Sequence, residues 1–493
     1  MNKKYIIALD QGTTSSRAII FDHDSNIVAQ AKHEFEQIFP KPGWVEHDPM
    51  EIWSSQSSAI IECIERNSIN PKKIAALGIT NQRETIVVWN KITGKPIYNA
   101  IVWQCRRTNK ACKEIINTPM QKVIQDKTGL QIDPYFSATK IKWILDNIEG
   151  AKDLANNGNL ICGTIDTWLI WKLTKGESHV TDMTNASRTM LFNIHKKRWD
   201  EELIEFFDIP KQMLPKIVNS SEHINNAIIS NHSIPITGVA GDQQSALFGQ
   251  KCFKEGDAKN TYGTGCFLLM NTGKKPLESK YGLIATLAID KNLEYSYALE
   301  GSVFMAGATI QWLRDKLGIL IDENDSEYFA TKVDSNEGVF LVPAFVGLGA
   351  PYWDSNAQAA IIGITRKTNR NHIIRAALEA TVYQSIDILN AMQKESGIKL
   401  KSLKVDGGAI KNKFLMQFQS DMIDKEVVVA SETEVSAFGA ACLAGLNVGF
   451  WESVEDIKDV SKNTQIIKPN MKESDRKKLY QGWGRAISCI INK

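Results

Sequence analysis

The amino-acid sequence predicts an α/β fold with two related domains. Apolar, strand-like runs alternate with amphipathic helical segments along the chain, as in layered α/β proteins. A glycine- and threonine-rich hairpin near the N-terminus is matched by a second one about half a chain length later. A chain of 493 residues also exceeds the size that one hydrophobic core usually supports. We therefore expect two domains, residues 1–250 and 251–493, that face each other across a cleft.

The composition is that of a soluble globular protein, and it excludes several functional classes. The 58 lysine and arginine residues nearly balance the 56 aspartate and glutamate residues, so no excess of positive charge attracts nucleic acid. The cysteines contain no C-x-x-C pair, which favours a reducing compartment. The N-terminus lacks an apolar leader, and the longest apolar stretch is interrupted by prolines and glycines. We expect a cytoplasmic protein that neither binds nucleic acid nor inserts into a membrane.

The first hairpin, Asp10–Arg17 between two apolar runs, has the composition of a phosphate-binding turn. Gly12 permits close approach of an anion to the backbone. Three hydroxyl-bearing residues add donors beside their own amides: Thr13, Thr14 and Ser15. Asp10, at the end of the first apolar run, suits Mg²⁺, which takes one or two carboxylates alongside phosphates. An ordinary hairpin turn is the alternative, but the density of donors favours phosphate.

Further elements repeat or extend this pattern. The second hairpin covers residues 258–270, and apolar strands run into two comparable acid–glycine turns at Gly241–Gln244 and Asp406–Ala409. Helices are predicted after Asp48, with proline at the first helical position, and over residues 372–393. A third helix, residues 436–446, consists of small residues that would let another backbone come close at a domain hinge.

The two hairpins and the two acid–glycine turns together resemble the actin-like ATPase superfamily. Residues 135–147 and 360–379 are similar to the signatures of the FGGY carbohydrate kinases. Three further segments resemble those members of the family that phosphorylate glycerol: residues 39–48, 78–84 and 98–107. No P-loop motif G-x-x-x-x-G-K-[ST] occurs in the sequence. The resemblance implies two actin-like, ribonuclease-H-like domains of mixed sheet with flanking helices and a nucleotide in the interdomain cleft.

The resemblance also implies a reaction, the ATP-dependent phosphorylation of glycerol to sn-glycerol 3-phosphate in glycerol catabolism. Asp242 would act as general base, while Mg²⁺ would be held by Asp10 and Asp242, through water or directly. A carboxylate suffices as base because positioning dominates phosphoryl transfer. Without the resemblance, a helix-capping role for Asp242 is equally probable.

Binding residues follow from the same resemblance. Polar and apolar groups for glycerol are Arg83, Glu84, Trp103, Tyr135, Asp242, Gln243 and Phe267 in the matching motifs. The residues implied for the nucleotide are Thr13, Thr14, Ser15, Arg17 and Thr264 at the phosphates, with Gly307, Gln311, Gly408 and Asn412 at the adenosine. The N-terminal domain would thus bind glycerol and phosphate, and the C-terminal domain adenosine. From the bare sequence, an exposed Arg83–Glu84 turn pair and a core Trp103 are favoured instead.

Two alternative functions remain open at this point. Another carbohydrate kinase of the family would need room for a larger sugar, and an actin-like or chaperone-like nucleotide switch would bind a protein partner instead. The assembly expected is a homodimer or a homotetramer. Residues 223–234 contain neither glycine nor arginine and differ from the sugar-bisphosphate-binding loop and the phosphorylated-histidine motif of bacterial members, so neither form of regulation is expected.

Overall fold

The computed structural model describes residues 3–354, 356–430, 434–458 and 465–491. These residues form two compact units. The first unit comprises the chain up to Lys251 together with Ala285–Tyr297 and the segment that begins at Glu434. The second comprises Cys252–Ile284, the chain that begins at Ala298, and the C-terminal segment. Two segments of the C-terminal half therefore belong to the first unit. A single boundary along the chain does not separate the two units.

Strands and helices alternate along both units. The strands are β1 (Tyr5–Gln11), β2 (Ser15–Asp22), β3 (Ile27–Glu34), β4 (Glu46–His47), β5 (Ile74–Asn81), β6 (Ile86–Asn90), β7 (Ala100–Ile101), β8 (Leu160–Thr164), β9 (Val180–Asp182), β10 (Phe192–Asn193), β11 (Arg198–Trp199), β12 (Lys216–Val218), β13 (Ser221–Ile229), β14 (His232–Gly241), β15 (Ala258–Tyr262), β16 (Cys266–Gly273), β17 (Ile284–Ile289), β18 (Tyr295–Val303), β19 (Phe340–Val342), β20 (Ala360–Ile362), β21 (Leu403–Asp406), β22 (Val427–Val429) and β23 (Gln465–Ile467). The α-helices are α1 (Pro49–Glu65), α2 (Asn109–Ile115), α3 (Pro119–Thr128), α4 (Ala138–Asn147), α5 (Ala151–Asn156), α6 (Ile165–Leu173), α7 (Met183–Ala186), α8 (Glu201–Phe206), α9 (Asp242–Gly249), α10 (Gly307–Asp315), α11 (Ser326–Ala330), α12 (Arg370–Ser396), α13 (Lys413–Ile423), α14 (Val435–Asn447) and α15 (Glu473–Ser488).

The first unit is built on a mixed sheet in the order β13-β14-β5-β1-β2-β3. The predicted hairpin is confirmed, because β1 and β2 pair antiparallel with Asp10 opposite Arg17. β5 pairs parallel with β1 on one side and with β14 on the other. Every residue of β5 is buried, as expected for a central strand with both faces covered.

The second unit repeats this plan. β15 and β16 form the second predicted hairpin, β21 pairs parallel with β15, and β22 pairs parallel with β21. β23 then adds antiparallel to β22, as β13 does to β14. The predicted internal duplication and the α/β class with mixed sheets are therefore confirmed.

The equivalence drawn between the two acid–glycine turns was wrong. Gly241 ends β14, which corresponds to β22, whereas Asp406 ends β21, which corresponds to β5. Both turns follow a buried parallel strand and precede helical structure, so their local sequences look alike. Strand order, which a local pattern does not contain, distinguishes them.

Two predicted helices are confirmed with well-defined ends. Asp48 accepts a hydrogen bond from the backbone N–H of Met50 at the start of α1, and Pro49 occupies the first turn. Asn369 and His372 form a reciprocal capping box at the start of α12, which extends beyond the predicted residues 372–393 at both ends.

The predicted small-residue helix, α14, packs on β1, β5, β14 and α9 in the first unit. Glycines make this approach possible. A Cβ atom at Gly78 would lie 2.3 Å from the carbonyl oxygen of Ala440, and one at Gly439 would lie 1.9 Å from that of Ser245. Both distances are far below van der Waals contact, so neither position accepts a larger residue without movement of the backbone.

Two observations concern the remaining composition-based expectations. Within the part of the chain that the structure describes, no helix combines the length and apolar character needed to cross a membrane. Seven of the cysteines are buried and Cys489 is exposed, and all are free thiols.

Substitution Gly439→Ala tests the close packing of α14. We expect it to lower the free energy of unfolding by about 1–3 kcal/mol or more, because the added methyl group meets the backbone of α9. Gly484→Ala is the matched control: this glycine lies in helix α15 with open space around it, so alanine should be neutral or stabilising there. Denaturant unfolding of both variants checks the prediction, and equal effects would contradict it.

Candidate functional site

The phosphate-type hairpin turn is held from several sides. The backbone N–H of Gly12 donates to the carbonyl oxygen of Ser15 at 2.9 Å, which closes the turn. The side-chain amide of Gln82 donates to the carbonyl oxygen of Gly12 at 3.0 Å, and that of Gln37 to the carbonyl oxygen of Thr13 at 3.0 Å. Thr14 is exposed, Thr13 is half-buried and Ser15 is buried. The turn is thus a fixed loop with an open outer side.

The register of the sheet brings two further segments to this turn. Gln11, Asn81 and Gly241 lie side by side at the ends of β1, β5 and β14. The chain continues from these three residues into the hairpin turn, Gln82–Glu84 and Asp242. Residues separated by more than two hundred positions in sequence therefore meet at one edge of the sheet.

Arg83 is the centre of this edge. Its side chain is 2 % exposed and contacts two carboxylates, with Nε 3.3 Å from Oδ1 of Asp242 and 3.6 Å from Oε1 of Glu84. It also donates to the hydroxyl of Tyr135 at 3.2 Å and to the side-chain oxygen of Gln244 at 3.4 Å. The exposed turn pair that the bare sequence favours is therefore wrong.

The neighbouring Glu84 is buried as well, and two cations hold it. Nε of Arg188 donates to Oε1 of Glu84 at 2.7 Å. Nζ of Lys140 donates to the carbonyl oxygens of Glu84 at 3.1 Å and of Tyr135 at 2.8 Å. Burial lowers the pKa of Lys140 to about 7, because a charged ammonium is costly away from water. Both cations anchor residues of the candidate substrate site from behind.

Asp242 begins helix α9 and remains partly accessible, with 30 % of its side chain exposed. Its Oδ1 accepts the backbone N–H of Gln243 at 2.8 Å, and its Oδ2 accepts the side-chain amide of the same residue at 3.0 Å. Gly241 is needed before it, because a Cβ there would lie 2.7 Å from Cγ of Arg83. The helix-capping interpretation of Asp242 is wrong, because Gly241 is the N-cap of α9 and Asp242 is its first helical residue.

Trp103 lies beside this cluster and is half-buried, not a core residue. Its ring meets that of Tyr135 edge to face, with centroids 5.6 Å apart. Its indole Nε1 donates to Oγ1 of Thr13 at 2.9 Å. The tryptophan thus contacts both the aromatic residue of the polar cluster and the phosphate-type turn.

Arg17 projects from β2 next to the same turn, but the structure pairs it with carboxylates. Its guanidinium lies 2.9 Å from Oε2 of Glu434 and 3.6 Å from Oδ2 of Asp10. Burial raises the pKa of Asp10 to about 7; the positive charge of Arg17 opposes this shift, and the negative charges of Glu434 and Asp242 add to it. Arg17 thus lies between the carboxylates of Glu434 and Asp10. Asp10 and Asp242 carry like charges and repel each other.

That repulsion bears on the predicted magnesium site. No group of three or more histidine, cysteine, aspartate or glutamate side chains is arranged to hold a metal ion among residues 3–354, 356–430, 434–458 and 465–491. Asp10 and Asp242 are two carboxylates, which matches the small protein ligand count of Mg²⁺ beside phosphates. A cation between them would relieve their repulsion, so the two side chains fit such an ion.

In the second unit, the hairpin turn is fastened to helix α10. The backbone N–H groups of Ala306 and Ala308 donate to the carbonyl oxygen of Thr264, and that of Gly307 to Gly263. A Cβ at Gly307 would lie 2.7 Å from the carbonyl oxygen of Gly263. Gly307 is therefore required for packing within the protein as well as for the predicted approach of adenosine. Gln311 lies one turn further along α10 and is half-buried.

The glycine pair after β21 divides its roles. Gly407 has a φ of +95°, and a Cβ there would lie 2.3 Å from the carbonyl oxygen of Tyr262, so the turn itself requires this glycine. Gly408 has open space around it, as a ligand-facing residue would. Asn412 caps helix α13 by accepting the backbone N–H of Leu415, a structural role that the sequence analysis missed. Phe267 lies half-buried in β16.

Some site residues carry no obvious signal in the sequence. Gln82 lies within the segment that showed the resemblance, but an isolated glutamine indicates no function. Lys140 and Arg188 are fully buried, but Thr139, Ser187 and Thr189 stand beside them in the sequence, so no local pattern predicts the burial of either basic side chain. Glu434 is 417 positions from Arg17 in the sequence, and the packing of α14 brings the two residues together.

Comparison with known proteins identifies the family of this chain. The model of the N-terminal domain of the FGGY family of carbohydrate kinases matches residues 5–249, and that of the C-terminal domain matches residues 258–448. Glycerol kinase from Shewanella woodyi is 60 % identical over 494 aligned positions that cover 100 % of both chains. Glycerol kinase from Shewanella piezotolerans is 59 % identical and covers 99 % of both.

Solved structures give the same result. The crystal structure of Plasmodium falciparum glycerol kinase with ADP superposes with a TM-score of 0.92 at 40 % identity and covers 100 % of this chain and 99 % of the other. Gluconate kinase from Lactobacillus acidophilus has a TM-score of 0.87 at 22 % identity over 99 % of this chain and 98 % of the other, which shows a shared fold alone. The predicted two-domain actin-like fold and phosphotransferase class are thereby confirmed, and the chain belongs to the FGGY family of carbohydrate kinases.

Proposed function

We propose that this protein phosphorylates glycerol with ATP to give sn-glycerol 3-phosphate, with Asp242 as the general base. The observation that carries the proposal is the polar cluster of the buried Arg83 and Glu84 with the half-buried Tyr135 and Asp242, beside the half-buried Trp103. Relatives that are 60 % and 59 % identical over essentially their whole length carry the name glycerol kinase.

The cluster suits a small, uncharged polyol. Glycerol has three hydroxyl groups that need hydrogen-bond partners, and its carbon atoms need an apolar wall. Arg83 and Glu84 offer charge-assisted donors and acceptors, and Trp103 with Tyr135 offers aromatic surface. Because Arg83 and Glu84 are already buried, a substrate that lacks a hydroxyl group would leave a buried hydrogen-bonding position of this pair unfilled. Gln243 and Phe267 belong to the proposed substrate set through the family resemblance.

Asp242 would accept the proton of the attacking hydroxyl group. It is partly accessible, whereas Glu84, the other carboxylate on Arg83, is buried and bonded to Arg188. Arg83 lies next to Asp242, with Nε 3.3 Å from Oδ1, and fixes the position of this carboxylate. In a loose phosphoryl-transfer transition state the hydroxyl group keeps its proton until late, so a positioned weak base is enough.

The proposal gives the remaining predicted residues the following roles. The fixed turn with Thr13, Thr14 and Ser15 would bind phosphate groups of ATP. Thr264, in the turn of the second hairpin, would also contact the phosphate groups. Gly307, Gln311, Gly408 and Asn412 would contact the adenosine. Asp10 and Asp242 would hold Mg²⁺, which supplies charge neutralisation at the transferred phosphoryl group when bound. Arg17 would have to exchange a carboxylate partner to reach a phosphate.

Two other functions make different predictions. A kinase for a larger sugar acid or ketose shares the fold, as the gluconate kinase similarity shows, but has no evident need for this compact aromatic wall. A nucleotide switch that binds a protein partner would hydrolyse ATP without any polyol. The buried Arg83–Glu84–Arg188 chain would then have no substrate to orient.

A panel of acceptors separates these possibilities. We expect rapid ADP release with glycerol and MgATP, and little with xylulose, gluconate or no acceptor, because only glycerol satisfies the cluster and its wall. A coupled ADP assay, with product confirmed as glycerol phosphate, measures this. Comparable rates with a ketose, or ADP release that is independent of polyol, would overturn the proposed substrate.

Asp242→Asn should abolish turnover and preserve nucleotide binding. General-base catalysis is typically worth about 10²-fold or more, so we expect kcat to fall at least that far while the Kd for ADP, measured without Mg²⁺ because Asp242 is also a proposed Mg²⁺ ligand, changes little. Asp153→Asn, in the exposed first turn of helix α5, is the matched control and should keep full activity. Residual activity of the Asp242 variant above about one tenth would contradict a role as base.

Asp10→Asn should change how stability depends on pH. The pKa of Asp10 is raised above its unfolded value, so folding favours the protonated form, and the charged carboxylate destabilises the fold as pH rises from about 4 through about 7. The asparagine variant avoids this loss. We expect it to be more stable than the wild type at pH 8 in EDTA, with a gain that shrinks toward pH 5. Thermal unfolding across this range measures the difference, and a gain that is independent of pH would contradict the burial of this charge.

A further inference from the structure

A closed ring of hydrogen bonds links the aromatic wall to the phosphate-type turn. The Gln82 side-chain amide donates to the carbonyl oxygen of Gly12 at 3.0 Å, and its oxygen accepts the hydroxyl of Thr85 at 2.9 Å. The same hydroxyl oxygen accepts the backbone N–H of Trp103 at 3.2 Å. The indole of Trp103 then donates to Oγ1 of Thr13 at 2.9 Å, which returns to the residue after Gly12.

The ring is buried on one side and accessible on the other. Gln82 and Thr85 are 3 % and 0 % exposed, whereas Trp103 and Thr13 are half-buried. Gln11 fixes Gln82 further. The side-chain amide of Gln82 donates to Oε1 of Gln11 at 3.0 Å, and its backbone N–H donates to the carbonyl oxygen of Gln11 at 2.9 Å. The buried members thus have a single arrangement, and the accessible members lie where the proposed ligands would arrive.

We propose that Gln82 and Thr85 are positioning residues which, through Trp103, couple occupation of the polyol pocket to the binding of nucleotide phosphates at Thr13. This inference rests on the proposed function, in which Trp103 contacts the polyol and Thr13 contacts the phosphates. The inference adds a physical link between the two substrate sites, which neither Trp103 nor Thr13 provides alone.

The direction of the hydrogen bonds supports this role. An indole N–H can only donate, so Oγ1 of Thr13 must act as the acceptor in its bond with Trp103. The proton of the Thr13 hydroxyl group is then directed to another acceptor, which is the polarity that an anionic phosphate oxygen requires. If the indole moves away, the hydroxyl group can rotate and present its lone pairs instead, which an anion would not favour.

A polyol packed against Trp103 restricts the position of the indole and thereby of the Thr13 hydroxyl. The nucleotide then binds to a turn that is already ordered and loses less conformational entropy. Coupling of this kind is reciprocal, so the factor by which glycerol tightens nucleotide binding must equal the factor by which the nucleotide tightens glycerol binding.

The coupling factor can be measured without turnover by titrating MgADP in the presence and absence of glycerol, and glycerol in the presence and absence of MgADP. One hydrogen bond typically contributes enough for a change of about two- to tenfold in an equilibrium constant. We expect a coupling factor of this size in the wild type, equal in both directions, and a factor near one in Trp103→Phe, which keeps an aromatic wall but lacks the N–H group.

Further variants separate positioning from general damage. Thr85→Val should lower the coupling factor and Thr85→Ser should retain it, because serine keeps the hydroxyl group. In the cycle of Trp103→Phe and Thr13→Val, the double variant should lose no more coupling than either single variant, since all three lack the same bond. This cycle decides the question even if Thr85→Val does not fold.

The outcomes for the inference and for the proposed function are distinct. A wild-type protein that phosphorylates glycerol but shows no coupling would overturn the inference and leave the function intact. Unchanged coupling in Trp103→Phe, or additive losses in the cycle, would also overturn it. A wild-type protein that binds no glycerol and phosphorylates none would overturn the proposed function itself.

Discussion

The parallel pairing of β5 with both β1 and β14 is the constraint on which the site depends. It places Gln11, Asn81 and Gly241 side by side, so the chain leaves the sheet at the same level three times. Ligand sites of open α/β sheets commonly lie outside the carboxyl ends of neighbouring parallel strands. Here the three exits supply a donor-rich turn, an arginine–glutamate pair and an accessible carboxylate. A shift of one residue in either pairing would turn the side chains of the shifted strand to the opposite face of the sheet.

Specific partners fix the geometry of the ionic cluster at this edge, and the cluster contributes little to the net stability of the fold. Arg83, Glu84, Lys140 and Arg188 are all almost fully buried, and the removal of four charges from water is costly. Each is compensated by specific partners, including the carbonyl oxygens of Glu84 and Tyr135. Loss of one member would leave another buried charge without a partner, so the cluster has few alternative arrangements. Such rigidity suits the proposed site, which would hold a small, flexible alcohol in one orientation.

Much of this organisation could be predicted from the sequence. Both hairpins, the duplicated plan and helices α1, α12 and α14 follow from apolar periodicity, glycine positions and capping residues, which are local signals. The burial of Arg83 and Glu84 could not be derived from such signals, because adjacent charged residues usually lie on the surface. The family resemblance implied substrate contacts for these two residues and did not indicate their burial. Strand order was also inaccessible, and the incorrect equivalence of the turns after Gly241 and Asp406 followed from that.

Long-range partners account for most of what was missed. Glu434 contacts Arg17 because α14 returns to the first unit, and Lys140 reaches Glu84 from a separate helix. Neither pairing leaves a trace in the spacing of residues. The roles of Asn412 and Gly407 were hidden for a different reason: a capping asparagine and a left-handed glycine look the same in sequence as ligand-binding residues.

The position of α14 affects how this protein can be divided. Residues 435–447 cover one face of β1, β5 and β14, although they lie beyond nearly all of the second unit in the chain. A fragment that ended near Lys251 would contain every strand of the first six-stranded sheet but would expose the apolar face that this helix covers. The N-terminal half is therefore not an autonomous folding module, and a nascent chain on the ribosome would have to keep that face protected until the helix is synthesised.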